Sequence, residues 1–199
     1  MEFIKRAVLL SGGVDSICLA YHLMPDLAYT INYGQKSAKR EIYISKLICD
    51  KLNIRHEIID IDCSSLGSGS MSNKESLRIS PSSEWWPYRN QLLITLALMR
   101  AIKDDINEIH LASVKSDFFH KDGTGNFYNL INEVTEYQEG KIRVICNTLD
   151  YYSHELANKY NVPIELISMA HSCHQSNIAC GVCSGCLKQL RVRQELGIE

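Results

Sequence analysis

Short apolar runs alternate with segments of helical spacing along the first third of the chain. The run at residues 7–10 predicts a buried strand, the runs at 27–31 and 54–61 predict two further strands, and the segments between them, 16–24 and 38–52, predict helices. In the second of these segments, apolar residues recur at steps of three and four, which is typical of an amphipathic helix. Strands separated by helices indicate crossover connections within a parallel sheet.

The rest of the chain resumes this alternation after a polar interruption. Residues 63–83 are rich in Ser and Gly and poor in apolar residues, and we expect a long mobile loop there. The expected fold class is α/β, with a Rossmann-like parallel sheet flanked by helices. The pattern beyond the loop predicts, in order, helix 90–103, strand 109–112, helix 127–137, strand 142–146, helix 153–160, a loop over 171–185 and helix 187–196.

Composition narrows the class of protein only slightly. The 199 residues are 45% hydrophobic and 22% charged, as in ordinary globular proteins. The formal net charge of -2 lacks the basic excess of nucleic-acid binders. Residues 1–6 lack the apolar stretch of a signal peptide, and no run is long and apolar enough to span a bilayer. We therefore expect a cytoplasmic protein with no direct nucleic-acid or membrane partner.

The segment Ser-Gly-Gly-Val-Asp-Ser at residues 11–16 stands where the first strand meets the first helix. Two glycines permit a sharp turn that a ligand can approach closely, and successive N–H groups before a helix can hold an anion. Two glycines alone would also suit a plain turn with a serine cap, but open α/β sheets bind ligands at this end of their strands. Asp15 is a candidate to bind Mg²⁺ or to fix the loop. The candidate phosphate-binding residues are Leu10, Ser11, Gly12, Gly13, Val14, Asp15 and Ser16.

The eight cysteines fall into two groups. Four are scattered and, in a reducing compartment, are expected to be small apolar residues: Cys18, Cys49, Cys63 and Cys146. The other four are spaced so that they can surround one tetrahedral Zn²⁺ in a closed, structural site: Cys173, Cys180, Cys183 and Cys186. An iron–sulfur cluster is the main rival. His171 and His174 flank the cluster, as alternative ligands or as neighbours of the metal or of a substrate pocket.

The motif at residues 11–16 resembles that of the PP-loop ATP pyrophosphatase superfamily. Its pairing with four C-terminal cysteines resembles the QueC family of 7-cyano-7-deazaguanine synthases, and the likeness runs from about residue 7 to residue 197. Three further segments resemble the family: Tyr-Gly-Gln-Lys at 33–36, Arg89-Asn90 opening a helix, and Asp122 with Phe127. The run Cys-Gly-Val-Cys-Ser-Gly-Cys that ends at Cys186 resembles its zinc segment.

This resemblance implies an adenine nucleotide alpha hydrolase-like fold and an enzyme that cleaves ATP between the α and β phosphates. The implied reaction turns the carboxylate of 7-carboxy-7-deazaguanine, with ammonia, into the nitrile preQ0 of queuosine biosynthesis, using ATP and Mg²⁺ beside a structural Zn²⁺. We also expect a nucleotide-binding domain over residues 1–165, a zinc-binding segment over 166–199, and a homodimer. The implied catalytic residues are Asp15, Ser16, Lys36 and Arg89. The implied substrate residues are Tyr33, Gln35, Arg89, Asn90 and Asp122.

The sequence departs from the family pattern at three places. Tyr88 replaces a glycine, residues 123–124 are Gly-Thr instead of Cys-Arg, and Ser153 stands where the family has a lysine that helps with phosphate charge. Two alternatives therefore stay open. One is a QueC-like antiphage-defence enzyme that joins the activated carboxylate to another amine, such as one on a protein, and the other is an inactive nucleotide-binding module. A substitute for the missing lysine has two candidates, Lys159 and Lys121.

Overall fold

The computed structural model describes residues 4–198, and it contains the expected parallel sheet. The five strands are β1 (Arg6–Leu9), β2 (Leu27–Asn32), β3 (Arg55–Asp60), β4 (Glu108–His110) and β5 (Arg143–Ile145). They lie in the order β3-β2-β1-β4-β5, and every neighbouring pair is parallel. The strand order reverses beside β1, and in an open α/β sheet such a switch point creates a crevice at the carboxyl ends of the strands.

Helices connect the strands and follow the sheet. Those within residues 4–198 are α1 (Val14–Leu23), α2 (Ala38–Leu52), α3 (Arg89–Ala101), α4 (Gly125–Tyr137), α5 (Ser153–Lys159), α6 (Ile164–Met169) and α7 (Ser184–Glu195). Six of them confirm predicted helices with small shifts of their ends. The sequence pattern missed α6, because six residues are too few to display a helical period. No helix in this range combines the length and apolarity needed for a bilayer crossing.

Side chains on successive strand residues point to opposite faces of the sheet, and each face has its own core. Val8 and Ala28 belong to a buried cluster that includes residues from α1, α2, α5, α6 and α7. Ala7, Leu27 and Tyr29 belong to a second cluster with α3 and α4. Because both faces are covered by helices, β1 and β2 are apolar along most of their length instead of alternating with polar residues.

Residues 63–83 contain neither an α-helix nor a strand, as the composition predicts. Two short 3-10 turns shape the segment, at Ser64–Leu66 and Gly69–Met71. Met71 is only 3% exposed and Trp86 only 2%, and both belong to the core cluster that contains α3. The segment is therefore anchored in the core by Met71 and by Cys63 at its start, while its mobility stays a prediction.

The C-terminal segment lies against the turn that follows β1. The His171 N–H donates to the carbonyl of Gly12 at 2.9 Å, and Gln189 bridges Ala170 and Ser172 through bonds of 2.6 and 3.0 Å. The α7 residue Val192 belongs to the α1 core cluster. A separate unit over residues 166–199 stays a prediction, and its last residue, like residues 1–3 of the other unit, lies outside the described range.

Candidate active site

The predicted phosphate-binding turn, residues 11–16, lies between β1 and α1 at the switch point of the sheet. The Ser16 hydroxyl lies inside the turn, where it donates to the carbonyl of Gly13 at 3.0 Å and accepts from the Ser11 N–H at 3.2 Å. The first helical hydrogen bond runs from the Ile17 N–H to Gly13. The three N–H groups before it have no acceptor within the helix, so the turn has the donors that an anion requires.

Two of the predicted turn residues, Leu10 and Val14, are buried and anchor the turn in the protein core. Leu10 is 1% exposed, and its carbonyl accepts from the Thr30 hydroxyl at 2.7 Å and the Ser45 hydroxyl at 3.1 Å. Val14 is 4% exposed and packs into the α1 core cluster. Their side chains therefore hold the turn in place, and the polar surface of the turn comes from the serines, the glycine backbone and Asp15.

Replacing Gly12 by alanine should destabilise the turn. Gly12 has φ = 73°, in the left-handed region, and an added Cβ would lie 3.1 Å from the carbonyl oxygen of Glu41 and from Cβ of Ile44. We expect the free energy of unfolding to fall by about 1–3 kcal/mol, measured by urea denaturation. Gly125→Ala is the matched control, since its Cβ would meet only Leu149 Cδ1 at 3.7 Å. Equal effects of the two changes would contradict the strain at Gly12.

Lys188 reaches the turn from α7, and the sequence patterns had not singled it out. Its Nζ lies 2.9 Å from Oδ2 of Asp15 and 3.1 Å from Oδ1 of Asp117. Burial alone would lower the pKa of Lys188, but the two carboxylates outweigh burial and raise it. The other carboxylate oxygen of Asp15, Oδ1, is buried without a hydrogen-bond partner among the described residues. One oxygen of the Asp15 carboxylate is therefore paired with Lys188, and the other is a candidate ligand for a cation.

Tyr33, Gln35 and Arg89, predicted as substrate residues, come together beside the turn that follows β2. Gln35 accepts from the Tyr33 N–H at 2.9 Å and donates to Glu41 at 2.9 Å. Burial raises the pKa of Tyr33, and the nearby Arg89 guanidinium opposes that rise. Burial raises the pKa of Glu41, although bonds from Ser37 and Gln35 oppose that rise. Gln35 and Glu41 therefore brace the backbone, and Arg89 is the group left to meet a ligand.

Arg89, Asn90 and Asp122 connect the start of α3 to the loop before α4. The Asn90 side chain donates to the carbonyl of Asp122 at 2.8 Å, and the Asn90 N–H lies 3.3 Å from Asp122 Oδ2. Arg89 Nη1 lies 3.5 Å from the sulfur of Met71, and no ion pair within residues 4–198 involves Arg89. The charges of Asp122, Asp117 and Glu41 raise the pKa of Arg89, although none of these carboxylates forms an ion pair with it.

Lys36, predicted as a catalytic residue, has a different position. Its side chain is exposed, and its backbone N–H donates to the carbonyl of Met71 at 3.0 Å.

Ser153 begins α5 with only 4% of its surface exposed, and its hydroxyl has no partner among the described residues. Of the two suggested substitutes for a lysine at this position, Lys159 is hydrogen-bonded to the Tyr151 hydroxyl and Lys121 is exposed.

His174 and Ser184 lie near the same crevice, next to the cysteine cluster. The Ser184 hydroxyl donates to Glu84, and His174 Nδ1 lies 3.3 Å from that hydroxyl oxygen. Burial, together with the charges of Arg89 and Lys188, lowers the pKa of His174 to about 4. Its imidazole is therefore neutral near pH 7 and adds no charge to the crevice.

The four clustered cysteines form a group that could hold a metal ion, as their spacing predicts. Their four sulfurs lie within 4.8 Å of one another, and the pairs Cys180–Cys186 and Cys173–Cys183 are each 3.9 Å apart. A tetrahedron with metal–sulfur bonds of about 2.3 Å has edges of about 3.8 Å, so the sulfur separations fit a single tetrahedral ion. His171 and His174 are outside this group: His171 Nε2 lies 2.9 Å from the carbonyl of Ser176.

The sequence is similar to those of known proteins over nearly its whole length. The sequence model described as "Queuosine biosynthesis protein QueC" matches residues 5–197. A 7-cyano-7-deazaguanine synthase from Desulforudis audaxviator is 31% identical, with 97% of this chain and 98% of that protein covered. Proteins of the same name from Chlorobaculum parvum and Methanocaldococcus jannaschii are 29% and 27% identical; 98% of this chain is covered in both cases, with 93% and 97% of those proteins.

Solved structures with a similar fold are more distant in sequence. The U34-tRNA thiolase NcsA from Methanococcus maripaludis, solved with its [4Fe-4S] cluster, superposes with a TM-score of 0.56 at 15% identity, covering 98% of this chain and 65% of that one. At these identities the likeness concerns the fold alone. The sequence match over nearly the whole chain, together with the phosphate turn and the four-cysteine group, carries the assignment: the chain belongs to the QueC family, whose matched relatives are 7-cyano-7-deazaguanine synthases.

Proposed function

We propose that this protein is an ATP-dependent ligase that converts 7-carboxy-7-deazaguanine and ammonia into the nitrile preQ0. The observation that carries the proposal is a chain of charged contacts: Lys188 contacts Asp15 of the turn and also Asp117, and the charge of Asp117 acts in turn on the guanidinium of Arg89. An activating enzyme needs both the turn and the guanidinium, because it must hold the phosphates of ATP and a substrate carboxylate side by side. The names of the matched relatives supply the substrate class.

The turn supports ATP binding through its backbone. The N–H groups at the start of α1 and the Ser11 hydroxyl face the position of the β and γ phosphates, where they would stabilise pyrophosphate as it leaves. The buried, unpartnered Oδ1 of Asp15 suits Mg²⁺, a cation that prefers oxygen ligands and commonly bridges carboxylates and phosphates. When bound, Mg²⁺ would neutralise charge on the phosphates.

The residues at the start of α3 support carboxylate binding. Arg89 presents a planar set of N–H donors that matches a carboxylate in bidentate geometry. Asn90 and Asp122 hold each other in the adjacent loop, and in this proposal they contact the polar edges of a deazaguanine base. Trp86 belongs to the core and makes an edge contact with Tyr33 at 4.9 Å between ring centroids, which positions the Tyr33 hydroxyl beside Arg89.

The proposed chemistry proceeds by two activations. A carboxylate oxygen attacks the α-phosphorus of ATP, the bond to the bridging oxygen breaks, and pyrophosphate leaves with the electron pair. Ammonia then attacks the acyl carbon, and loss of AMP and a proton gives the amide. A second ATP activates the amide oxygen in the same way, and loss of AMP and the two amide N–H protons gives the nitrile. Holding both reactants in one crevice supplies the orientation that each attack requires.

The four-cysteine group would hold Zn²⁺. Four sulfur ligands leave no open position for substrate, so the ion would fix the loop after α6 and the start of α7 without taking part in the reaction. An iron–sulfur cube would bind each thiolate to a different iron and would spread the sulfurs further apart than the 3.9 Å separations in the cluster. Zinc is therefore the proposed metal.

A product assay tests the proposed function. The zinc-loaded protein is incubated with ATP, Mg²⁺, ammonia and 7-carboxy-7-deazaguanine, and the products are followed by mass spectrometry. We expect AMP, the amide and then the nitrile, with AMP formation dependent on the carboxylate substrate. Absence of both amide and nitrile from folded protein would overturn the proposal. A mass increase on an added protein would instead support the conjugating alternative, and nucleotide binding without turnover would support the inactive module.

A homodimer and a cytoplasmic location also remain proposals.

A further inference from the structure

Lys188 lies next to the turn that, in the proposed reaction, binds the phosphates of ATP. Its Nζ lies 2.9 Å from Asp15, in the first turn of α1, and 3.1 Å from Asp117. The ammonium is thus adjacent to the N–H groups that would bind the phosphates. About a third of the Lys188 side chain remains exposed.

The number of donors on Lys188 exceeds the number of carboxylate partners. An ammonium has three N–H donors and no acceptor. Asp15 and Asp117 take two of them, which leaves the third for an incoming oxygen. The two carboxylates fix the direction of the side chain, so little rotamer freedom would be lost when a phosphate oxygen binds.

The helix that carries Lys188 is held by contacts on both sides. Cys183 caps α7, with its sulfur accepting from the Cys186 N–H at 3.4 Å. Gln189 ties α7 to the segment that precedes Cys173, through Ala170 and Ser172. At Gly185, an added Cβ would lie 1.8 Å from the carbonyl oxygen of Ser172, so the two segments touch directly. The position of Lys188 is therefore set by the fold of the cysteine segment.

We propose that Lys188 donates a hydrogen bond to a phosphate oxygen of bound ATP and of the leaving pyrophosphate, so that the cysteine segment contributes a residue to the nucleotide site. This inference rests on the proposed function, because it assumes that residues 11–16 bind a nucleotide. The cysteine-rich segment then has two tasks: it holds a metal and it delivers a cation to the phosphate turn from the other end of the chain. A charged donor on a developing anion stabilises pyrophosphate as it departs.

Binding of inorganic pyrophosphate to the full-length, zinc-loaded protein tests this inference. Isothermal titration with Mg²⁺ present should give an affinity for Lys188→Gln that is about 10- to 100-fold weaker than wild type, the usual loss for a hydrogen bond to a charged group. Lys188→Arg should retain part of the affinity. Arg191→Gln, an exposed position on the same helix, removes one positive charge and should leave the affinity unchanged.

A double variant tests whether Lys188 contacts the phosphate directly or only neutralises the charge of nearby carboxylates. Lys188→Gln leaves Asp15 and Asp117 without their counter-charge, which alone could repel pyrophosphate. Asp117→Asn in the Lys188→Gln background removes one of those charges and keeps an oxygen that can accept from the Val114 N–H, as Asp117 does at 3.0 Å. We expect the double variant to remain at least tenfold weaker than wild type, with a Tm close to it. If the double variant recovered the wild-type affinity for pyrophosphate, a direct hydrogen bond from Lys188 to phosphate would be overturned.

The outcomes also separate this inference from the proposed function. Wild-type protein that binds neither pyrophosphate nor ATP would overturn both. Wild-type protein that binds pyrophosphate, together with a folded Lys188→Gln variant of equal affinity, would overturn the role of Lys188 alone. Weaker binding by Lys188→Gln and by the double variant, with Arg191→Gln unchanged, would support it.

Discussion

Replacing Asp15 by asparagine is expected to reduce ATP turnover by about 10²- to 10³-fold, the loss typical of one removed electrostatic group in an active site. Asparagine keeps the size of the side chain and removes its charge. Oδ1 of Asp15 is buried without a hydrogen-bond partner among residues 4–198, and Oδ2 pairs with Lys188 at 2.9 Å. The neutral amide would lose the attraction for a cation on one side and for Lys188 on the other.

The measurement is the steady-state rate of pyrophosphate release with ATP, Mg²⁺ and the carboxylate substrate. Asp50→Asn is the control, because Asp50 is an exposed carboxylate on α2 and should leave the rate unchanged. A thermal melt establishes that the Asp15 variant is folded. Wild-type turnover by folded Asp15→Asn would contradict the assignment of Asp15 to the nucleotide site.

Replacing Cys183 by alanine is expected to release the metal and to unfold the C-terminal segment locally. Cys183 has two structural tasks, since its sulfur belongs to the four-sulfur group and also caps α7. Three sulfurs no longer form a closed tetrahedral site, and metal binding supplies much of the folding free energy of such a segment. We expect about one Zn per wild-type chain, far less in the variant, and a fall of more than about 3 kcal/mol in the free energy of unfolding.

Metal analysis and hydrogen exchange measure these two effects. Amide protection in α7 should fall in the Cys183 variant and persist around β1 and β2. Cys49→Ala is the matched control, because Cys49 is 1% exposed in the α1 core cluster, outside the metal group; it should keep its zinc and lose only about 1 kcal/mol. Full metal content with unchanged protection in Cys183→Ala would contradict a structural metal site, and iron with sulfide in wild-type protein would identify the iron–sulfur rival.

Local patterns allowed most of the fold to be predicted. Helix α2 has the predicted bounds, Ala38–Leu52, because its apolar stripe is long and uninterrupted. Strands β1 and β2 could be predicted as apolar runs because helices cover both faces of the sheet there, whereas β3 is an edge strand without a buried residue. Short elements could not, and α6 and the 3-10 turns within residues 63–83 were missed, since a segment of three to six residues has no measurable period.

The candidate site divides in the same way. The sequence by itself determined the glycine-containing turn between β1 and α1 and the four-cysteine group, because each depends on residue types at close spacing along the chain. Only the tertiary structure decided that Lys188 contacts Asp15 and that Lys36 is exposed. The first contact joins opposite ends of the chain, and no local periodicity encodes such a pairing. It arises because the order of the strands places the turn after β1 at the switch point, where the bonds of residues 170–172 bring α7 against it.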